Sequence, residues 1–408
     1  MLLHARVSDA APSFAGYFNS LIGYLMRTVL VYRSEVLAYS ETFIKEQLSA
    51  YRAWRPVLVG RKLLHQLSLD GLEIRLLQDN ERVFPARVLT KAIRRLGYCP
   101  SPLRKENASL LHAHFGPDAV EAQVVARALD IPLVVTLHGY DINVHRKWWE
   151  SGMGGTGMER YPQRLLNLAA NPNSHFIAVS DAVRQRAIAY GIPARKLNTF
   201  YIGIDVGKFK PGPIPHHARP ARILFVGRLI EKKGCEYLLR AMQLVKARVP
   251  EAQLRLIGEG PLRKNLEQLS SQLGIAAHFA GALSAELVKA ELDNARVLCL
   301  PSVQATNGDA EGLPIILLEA QAAGLPVVSS ALGGAKEGIL DGRSGFQCEE
   351  KDIFVIADRL VEILSNPHMA FEMGSAGRQF VSDKFDIHRC TSNLEKFYTD
   401  VVMERAAN

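Results

Sequence analysis

Residues 309–328 read Asp-Ala-Glu-Gly-Leu-Pro-Ile-Ile-Leu-Leu-Glu-Ala-Gln-Ala-Ala-Gly-Leu-Pro-Val-Val, and this stretch decides the fold. Gly312 and Pro314 mark a turn, 315–323 carries a helical pattern, and Gly324 with Pro326 leads into a β-branched run. A helix that feeds a short apolar strand is half of a parallel βαβ unit. The same alternation extends in both directions. In the second half, strands are expected at 223–226, 253–257, 277–280, 297–300 and 326–329, with helices at 236–249, 262–273 and 285–293. In the first half, strands are expected at 28–32, 56–59, 73–76, 110–113, 133–137, 176–179 and 199–202, with helices at 41–54, 118–129 and 181–190.

The chain has 408 residues, enough for two domains. Segment 210–220 holds four prolines and one glycine, which neither a helix nor a central strand tolerates. It separates an acceptor-side domain (26–209) from a second domain (221–388). Helices at 354–364 and 389–402 follow, and the final segment 389–408 is placed to cross back onto the first domain. The class is α/β: two Rossmann-like domains with parallel sheets facing across a cleft. Residues 1–25 fit neither template and are treated as an extension before the first strand.

Hydrophobic residues make up 48% and charged residues 22%, as in ordinary globular proteins. No apolar run is long enough to span a membrane. The five cysteines are scattered and odd in number, which argues against a disulfide framework or zinc and fits a reducing cytosol. The net charge is +8, and 82–105 carries seven basic residues and no acidic one. Arg87, Lys91, Arg94 and Arg95 share one side of a helical pattern and Val88, Leu89, Ala92, Ile93 and Leu96 the other, a basic amphipathic face suited to an anionic membrane or to phosphate. A solvated face over a core stripe reads the same way. No recognised nucleic-acid-binding motif accompanies the charge, so nucleic acid is not expected as a partner.

In open parallel sheets, ligands bind beyond the carboxyl ends of the strands. The residues that carry chemistry stand there. Glu311 and Glu319 are separated by seven residues, one before the helix and one inside it. The helix start that follows Gly312, Leu313 and Pro314 offers free N–H groups to an anion such as a diphosphate, and the N–H that Pro314 lacks would be unpaired there anyway. The glutamates are suited to accept sugar or ribose hydroxyls, or they are simply solvated. After the strand at 223–226, Gly227-Arg228-Leu-Ile-Glu-Lys-Lys233-Gly234 puts Arg228 and Lys233 beside the same place, where they can neutralise a pyrophosphate. Gly258 and Gly260 end the next strand and suit a close backbone approach. In the first half, His138 ends a strand within Val134-Val-Thr-Leu-His-Gly-Tyr-Asp141 and faces the cleft, to bond a sugar hydroxyl or balance developing charge. His112 and His114 alternate by two, but no third metal ligand is in sight. Trp148 and Trp149 precede Gly152, Gly154, Gly155 and Gly157, either a mobile lid whose rings stack on an acceptor sugar or a packed hairpin. GxGxxG after the first strand, GxxxxGK[ST], GxSxG and Asp-x-Asp are all missing, which argues against nicotinamide, P-loop, hydrolase and metal-diphosphate chemistry.

Taken together, Gly227-Arg228 with Lys233-Gly234, the Glu311-x7-Glu319 pattern, His-Gly-Tyr-Asp at His138 and Tyr201-Ile-Gly-Ile-Asp205 with Phe209 resemble the retaining glycosyltransferases of family 4, which have the GT-B fold. Ser40-Glu41-Thr42-Phe43-Ile44 resembles the branch that builds bacterial exopolysaccharides and capsules. The resemblance implies that Arg228 and Lys233 hold the donor diphosphate and that Glu319 binds the ribose. It implies that Glu311, with N–H groups near Gly312 and Leu313, meets the donor sugar, and that His138 meets it near the reacting face. It also implies that neither a metal nor another cofactor is used. Ser40, Glu41, Asp141, Trp148 and Trp149 are candidates for the acceptor side. Two departures stand out: Ser34–Ser40 replaces the Gly-Gly loop of many relatives, and Ile202 stands where many have Asn. The expected reaction moves a hexose from a UDP-, GDP- or ADP-sugar to a glycan or lipid-linked acceptor, in a cytoplasmic protein able to sit against the inner face of the membrane. An epimerase, a phosphorylase or a non-enzymatic nucleotide- or carbohydrate-binding protein are the alternatives.

Overall fold

The strand Arg27–Tyr32 buries Val29, Leu30, Val31 and Tyr32, as a continuous apolar run must when both faces of a sheet are covered. It is an interior strand of the first sheet in a computed structural model that describes residues 26–77 and 101–407. The extension 1–25 and the basic face of Arg87, Lys91, Arg94 and Arg95 lie outside those residues.

The first sheet has seven parallel strands. Their spatial order is Glu73–Leu76, Trp54–Gly60, Arg27–Tyr32, Ala108–His114, Leu133–Leu137, Ser174–Ala178 and Leu197–Thr199. The second has six: Ala277–Phe279, Gln253–Ile257, Arg222–Val226, Val297–Leu300, Val327–Ser329 and Gly345–Gln347. In each sheet the strand order reverses beside the first strand. A crevice opens past the carboxyl ends at that point, and it is where such sheets bind ligands. The α/β architecture with two parallel sheets is the one the residue pattern implies.

The chain passes between domains twice, at one place. Ile204 N donates to Phe385 O at 2.9 Å, and Ile387 N donates to Ile204 O at 3.0 Å. The proline-rich segment lies beyond this crossing and packs onto the second domain, with His216 Nε2 2.7 Å from Gly324 O. The last helix, Ile387–Ala407, returns to the first domain. Its Glu395 Oε1 accepts the backbone N–H groups of Arg52, Ala53 and Trp54 at 2.9, 2.7 and 2.8 Å. Tyr398, fully buried, hydrogen-bonds Tyr51 and His112.

That carboxylate explains one departure from the sequence reading. The helix expected at 41–54 is Thr42–Ala50, and Trp54 belongs to a strand. The N–H groups of residues 52–54 serve Glu395 instead of a helix carbonyl. The strand expected at 199–202 is Leu197–Thr199, because Ile204 is drawn into the crossing. The helix Pro367–Lys384 was not expected, since Gly374 and Gly377 interrupt its pattern. Packing supplies the reason for the first: a Cβ on Gly374 would lie 1.9 Å from Gly324 O. Among the described residues, no helix is long and apolar enough to cross a membrane. Cys235, Cys299, Cys348 and Cys390 are free and buried.

Because Glu395 accepts three backbone N–H groups, of which that of Trp54 is buried and those of Arg52 and Ala53 are partly exposed, Glu395→Ala is expected to destabilise the protein by about 2 kcal/mol. Urea denaturation measures it. A change within about 0.5 kcal/mol, the range of ordinary surface substitutions, would show that the helix is held by apolar contacts alone.

Candidate functional site

The two loops that end Arg222–Val226 and Val297–Leu300 meet at the switch point of the second sheet. Lys233 Nζ lies 2.7 Å from Glu311 Oε1, and Ser302 Oγ donates to the same oxygen at 2.9 Å. Burial alone would raise the Glu311 carboxyl. Lys233 beside it, Lys232 and Ser302 outweigh that and hold it down at about 2, so it is ionised at neutral pH. Lys232 Nζ pairs with Asp309 at 2.9 Å. Gly227 lets the aliphatic stem of Lys233 lie over it, 3.4 Å from where a Cβ would stand. Gly258 backs the same strand end, since a Cβ there would meet Gly227 O at 2.0 Å.

Arg228 is exposed and has no carboxylate partner among the described residues. Lys233 is different, because its charge already faces Glu311. The expectation that Lys233 meets the diphosphate therefore acquires a second part: it also neutralises the carboxylate that shares the crevice. Pro314 stands at the N-cap of Ile315–Ala322, one position before the helix, and makes no side-chain cap; Leu317 N donates to Pro314 O at 3.1 Å, and the N–H groups of Ile315 and Ile316 are left for a ligand. Leu313, 8% exposed, turns its side chain to the core.

Glu319 lies one turn into this helix. It lines a crevice with Ile315, Ala285, Thr42, Phe43, Glu46 and Lys208, residues of both domains. Burial pushes its carboxyl up to about 7, with Lys208 opposing and Glu46 adding to the rise.

The first domain approaches through backbone. A Cβ on Gly312 would lie 2.1 Å from His138 O, and one on Gly139 would lie 3.1 Å from Gly312 Cα. Ser180 Oγ donates to Gly312 O at 3.1 Å, Asn143 Nδ2 to Ala310 O at 3.3 Å, and His145 N to Asn307 O at 2.9 Å. His138 and Glu311 thus belong to one crevice. The His138 imidazole is pushed down to about 3 by burial, with His112 and Arg33 adding to it, so at neutral pH it is uncharged. It can exchange hydrogen bonds with a sugar, but it does not supply positive charge. That corrects half of its expected role. Burial pushes the Tyr140 hydroxyl up to about 12; Asp309 adds to this, and Arg228 across the cleft opposes it.

The acceptor-side candidates separate. Trp149 is 1% exposed, with Tyr161, Trp148 and Tyr140 around it at ring-centroid distances of 4.6, 5.1 and 5.3 Å. Its faces are covered by protein, so the lid reading is wrong for this residue. The glycines after it form successive tight turns, and Gly154 leaves room for the indole: a Cβ there would be 2.5 Å from it. Trp148 is half-buried beside it. Asp141 is fully buried, and its Oδ2 accepts His138 N at 2.5 Å, which makes it a support for the histidine loop. Glu41 is buried and bonded to Arg33 at 2.8 Å, which also reaches Asp118 at 2.5 Å. Only Ser40 of this group is exposed toward solvent. His112 uses both ring nitrogens on Tyr398 and Thr136, so it is no metal ligand. Among the described residues no cluster of three or more metal-ligating side chains occurs. Sequence reasoning missed Ser302, Lys232, Asp309 and Asn143. Lys232, next to Lys233, was the one with a visible signal.

Comparison with known proteins places this crevice in a class. Residues 73–208 match the model described as Glycosyltransferase Family 4, and 209–380 match Glycosyl transferases group 1. The chain belongs to the family 4 glycosyltransferases. It is 33% identical to the amylovoran biosynthesis glycosyltransferase AmsK of Erwinia amylovora, over 74% of this chain and 71% of that protein. It is 31% identical to a GDP-mannose-dependent alpha-(1-6)-phosphatidylinositol monomannoside mannosyltransferase of Mycolicibacterium smegmatis, over 66% of this chain and 70% of that one. The putative colanic acid biosynthesis glycosyltransferase WcaL of Escherichia coli is also 31% identical, over 65% of this chain and 63% of its own length. The fold is that of Anabaena HepE, crystallised with UDP and glucose, with TM-score 0.75 and 18% identity over 92% of this chain and 99% of that one. The protein is accordingly a GT-B glycosyltransferase of the exopolysaccharide type, and the epimerase, phosphorylase and binding-only alternatives fall away.

Glu319 is expected to accept ribose hydroxyls, and a carboxyl group accepts them best when ionised. As the pH falls through about 7, the affinity for a nucleoside diphosphate should therefore drop. Glu319→Gln should bind weakly and without that dependence. Calorimetric titration of UDP, GDP and ADP across this range checks it; a pH dependence that survives in Glu319→Gln would move the titrating group elsewhere.

Proposed function

We propose that this glycosyltransferase moves a hexose from a nucleoside-diphosphate sugar to a glycan or lipid-linked acceptor, with retention at the anomeric carbon and without a metal ion. The observation that carries the reading is the Lys233–Glu311 pair at the switch point, with Arg228 and the open start of Ile315–Ala322 beside it. Arg228 and the helix start supply positive charge where a diphosphate leaves. Lys233 keeps Glu311 ionised, and its remaining ammonium hydrogens stay available to a phosphate oxygen. Glu311 accepts hydroxyls of the sugar, and Glu319 those of the ribose.

The transfer is written on one face. The C1–O bond to the diphosphate breaks with its electron pair going to oxygen. The acceptor hydroxyl bonds C1 from the same side, and its proton passes to the departing phosphate oxygen. A double displacement needs a carboxylate free to attack from the opposite face. Glu311 has one oxygen held by Lys233 and Ser302, which suits an orienting acceptor more than a nucleophile. Catalysis then consists of positioning and of stabilising the leaving group in a crevice closed by both domains. The names of AmsK and WcaL support an exopolysaccharide acceptor.

Three outcomes are expected. In a thermal-shift panel of UDP-glucose, GDP-mannose and ADP-glucose, the true donor's nucleotide raises the melting temperature most. With that donor, proton NMR of the product shows the donor's anomeric configuration, and EDTA leaves turnover unchanged; inversion or loss of activity in EDTA would overturn the reading. Arg228→Ala and Lys233→Ala each reduce kcat by about a hundredfold or more while circular dichroism stays native. Near-normal turnover in both would remove the electrostatic basis of the proposal.

A further inference from the structure

The donor site leaves two buried histidines unused, and they are joined to it. His112 and His114 lie two apart on Ala108–His114, so their side chains share one face of the strand. His112 is clamped at both nitrogens: Nδ1 meets the Tyr398 hydroxyl and Nε2 lies 2.6 Å from Thr136 Oγ1. Tyr398 is in turn 2.8 Å from the Tyr51 hydroxyl. The His112 ring lies 4.5 Å from the His114 ring, centroid to centroid. His114 Nδ1 then reaches His138 Nε2 at 3.1 Å.

His138 has apolar rings at its sides, Phe115 at 4.3 Å and Phe43 at 5.2 Å between centroids. Neither can hold an imidazole in one of its two flip states. The hydrogen bond shared with His114 is, among the described residues, the one polar side-chain contact that does so. It turns Nε2 of His138 into the protein and leaves Nδ1 for the cleft.

We propose that His114 is a positioning residue, which fixes the rotamer and the tautomer of His138 so that Nδ1 alone meets the transferred sugar. This rests on the reading that His138 faces that sugar. Two uncharged imidazoles that share an N···N contact need one N–H and one lone pair, so the proton position on His114 dictates the one on His138. Burial keeps both rings uncharged at neutral pH, as it does His112. The direction of the bond decides whether Nδ1 of His138 donates to, or accepts from, a sugar hydroxyl. His112, held by the last helix through Tyr398, braces the flat side of His114.

The test uses the full chain with 15N-labelled histidine. Two-bond 1H–15N spectra report the tautomer of His138 in the wild type, His114→Leu and His114→Gln, with His114→Met in reserve if the leucine variant does not fold. Nucleoside diphosphate release from UDP-glucose, GDP-mannose or ADP-glucose reports turnover. The wild type should show one tautomer of His138. In His114→Leu its ring nitrogen shifts should move toward a mixture and kcat should fall about ten- to a hundredfold, by analogy with other orienting partners, with the donor KM changing far less. His114→Gln, which can still donate or accept, should restore a single tautomer and most of the kcat. Unchanged His138 shifts in a folded His114→Leu would overturn the proposal. Altered shifts with wild-type turnover in both His114→Leu and His138→Ala would leave the positioning intact and refute the reading of His138 as a sugar contact.

Discussion

The contact of bare backbone on bare backbone between His138-Gly139 and Gly312 governs this structure. A side chain on Gly312 would sit 2.1 Å from the His138 carbonyl oxygen, so only glycine allows the domains to come this near. Because they do, the loop that ends a strand of the first sheet and the loop that precedes Ile315–Ala322 form the two walls of one crevice. Ser180, Asn143 and the backbone of His145 add hydrogen bonds around the same point. Glu337 reaches across nearby to the first N–H groups of Asp181–Tyr190, at 3.0 and 2.9 Å. A carboxylate at a helix start is favourable on both hydrogen-bonding and dipole grounds.

Within that crevice, charge is arranged asymmetrically. The second domain supplies ions: a glutamate held anionic by two lysines and a hydroxyl, an arginine with no carboxylate partner among the described residues, and a helix start without a side-chain cap. Opposite Glu311 the first domain supplies neutral groups, since burial keeps His112, His114 and His138 uncharged at ordinary pH. This division suits a reaction in which negative charge collects on one side, at the leaving diphosphate, while a sugar is oriented from the other. Glu319 stands between these regimes. Its burial leaves it close to half-ionised near neutrality, ready to become fully ionic when hydroxyl donors arrive.

The polar interior of the first domain also connects distant segments of the chain. The helix Ile387–Ala407 follows the second domain in sequence, yet it places Glu395 under Trp54 and Tyr398 against His112. Glu395 serves three backbone donors, the buried one at Trp54 among them, and Leu394, Tyr398 and Val401 pack into the core beside it, so the helix is tied down by both polar and apolar contacts. It also means that the last helix touches the layer of residues directly behind His138.

Much of this was legible in the residues themselves. Apolar β-branched runs alternating with helical patterns specify parallel sheets, because each strand must be covered on both faces. Helices at 181–190 and 285–293 and the strands at 133–137 and 253–257 stand where their patterns put them. Gly227, Arg228, Lys233, Glu311 and Glu319 were visible because strand-end glycines and charged residues break an apolar pattern at the point where a doubly wound sheet opens. What the sequence could not supply was partnership across distance. That Lys233 neutralises Glu311, that Trp149 is walled in by Tyr161 and Tyr140, that Glu395 ends a helix by taking its N–H groups, and that His114 faces His138 all depend on side chains brought together from far along the chain. Local pattern records whether a residue prefers water or the interior. Only the closed packing of two domains decides which buried polar group meets which.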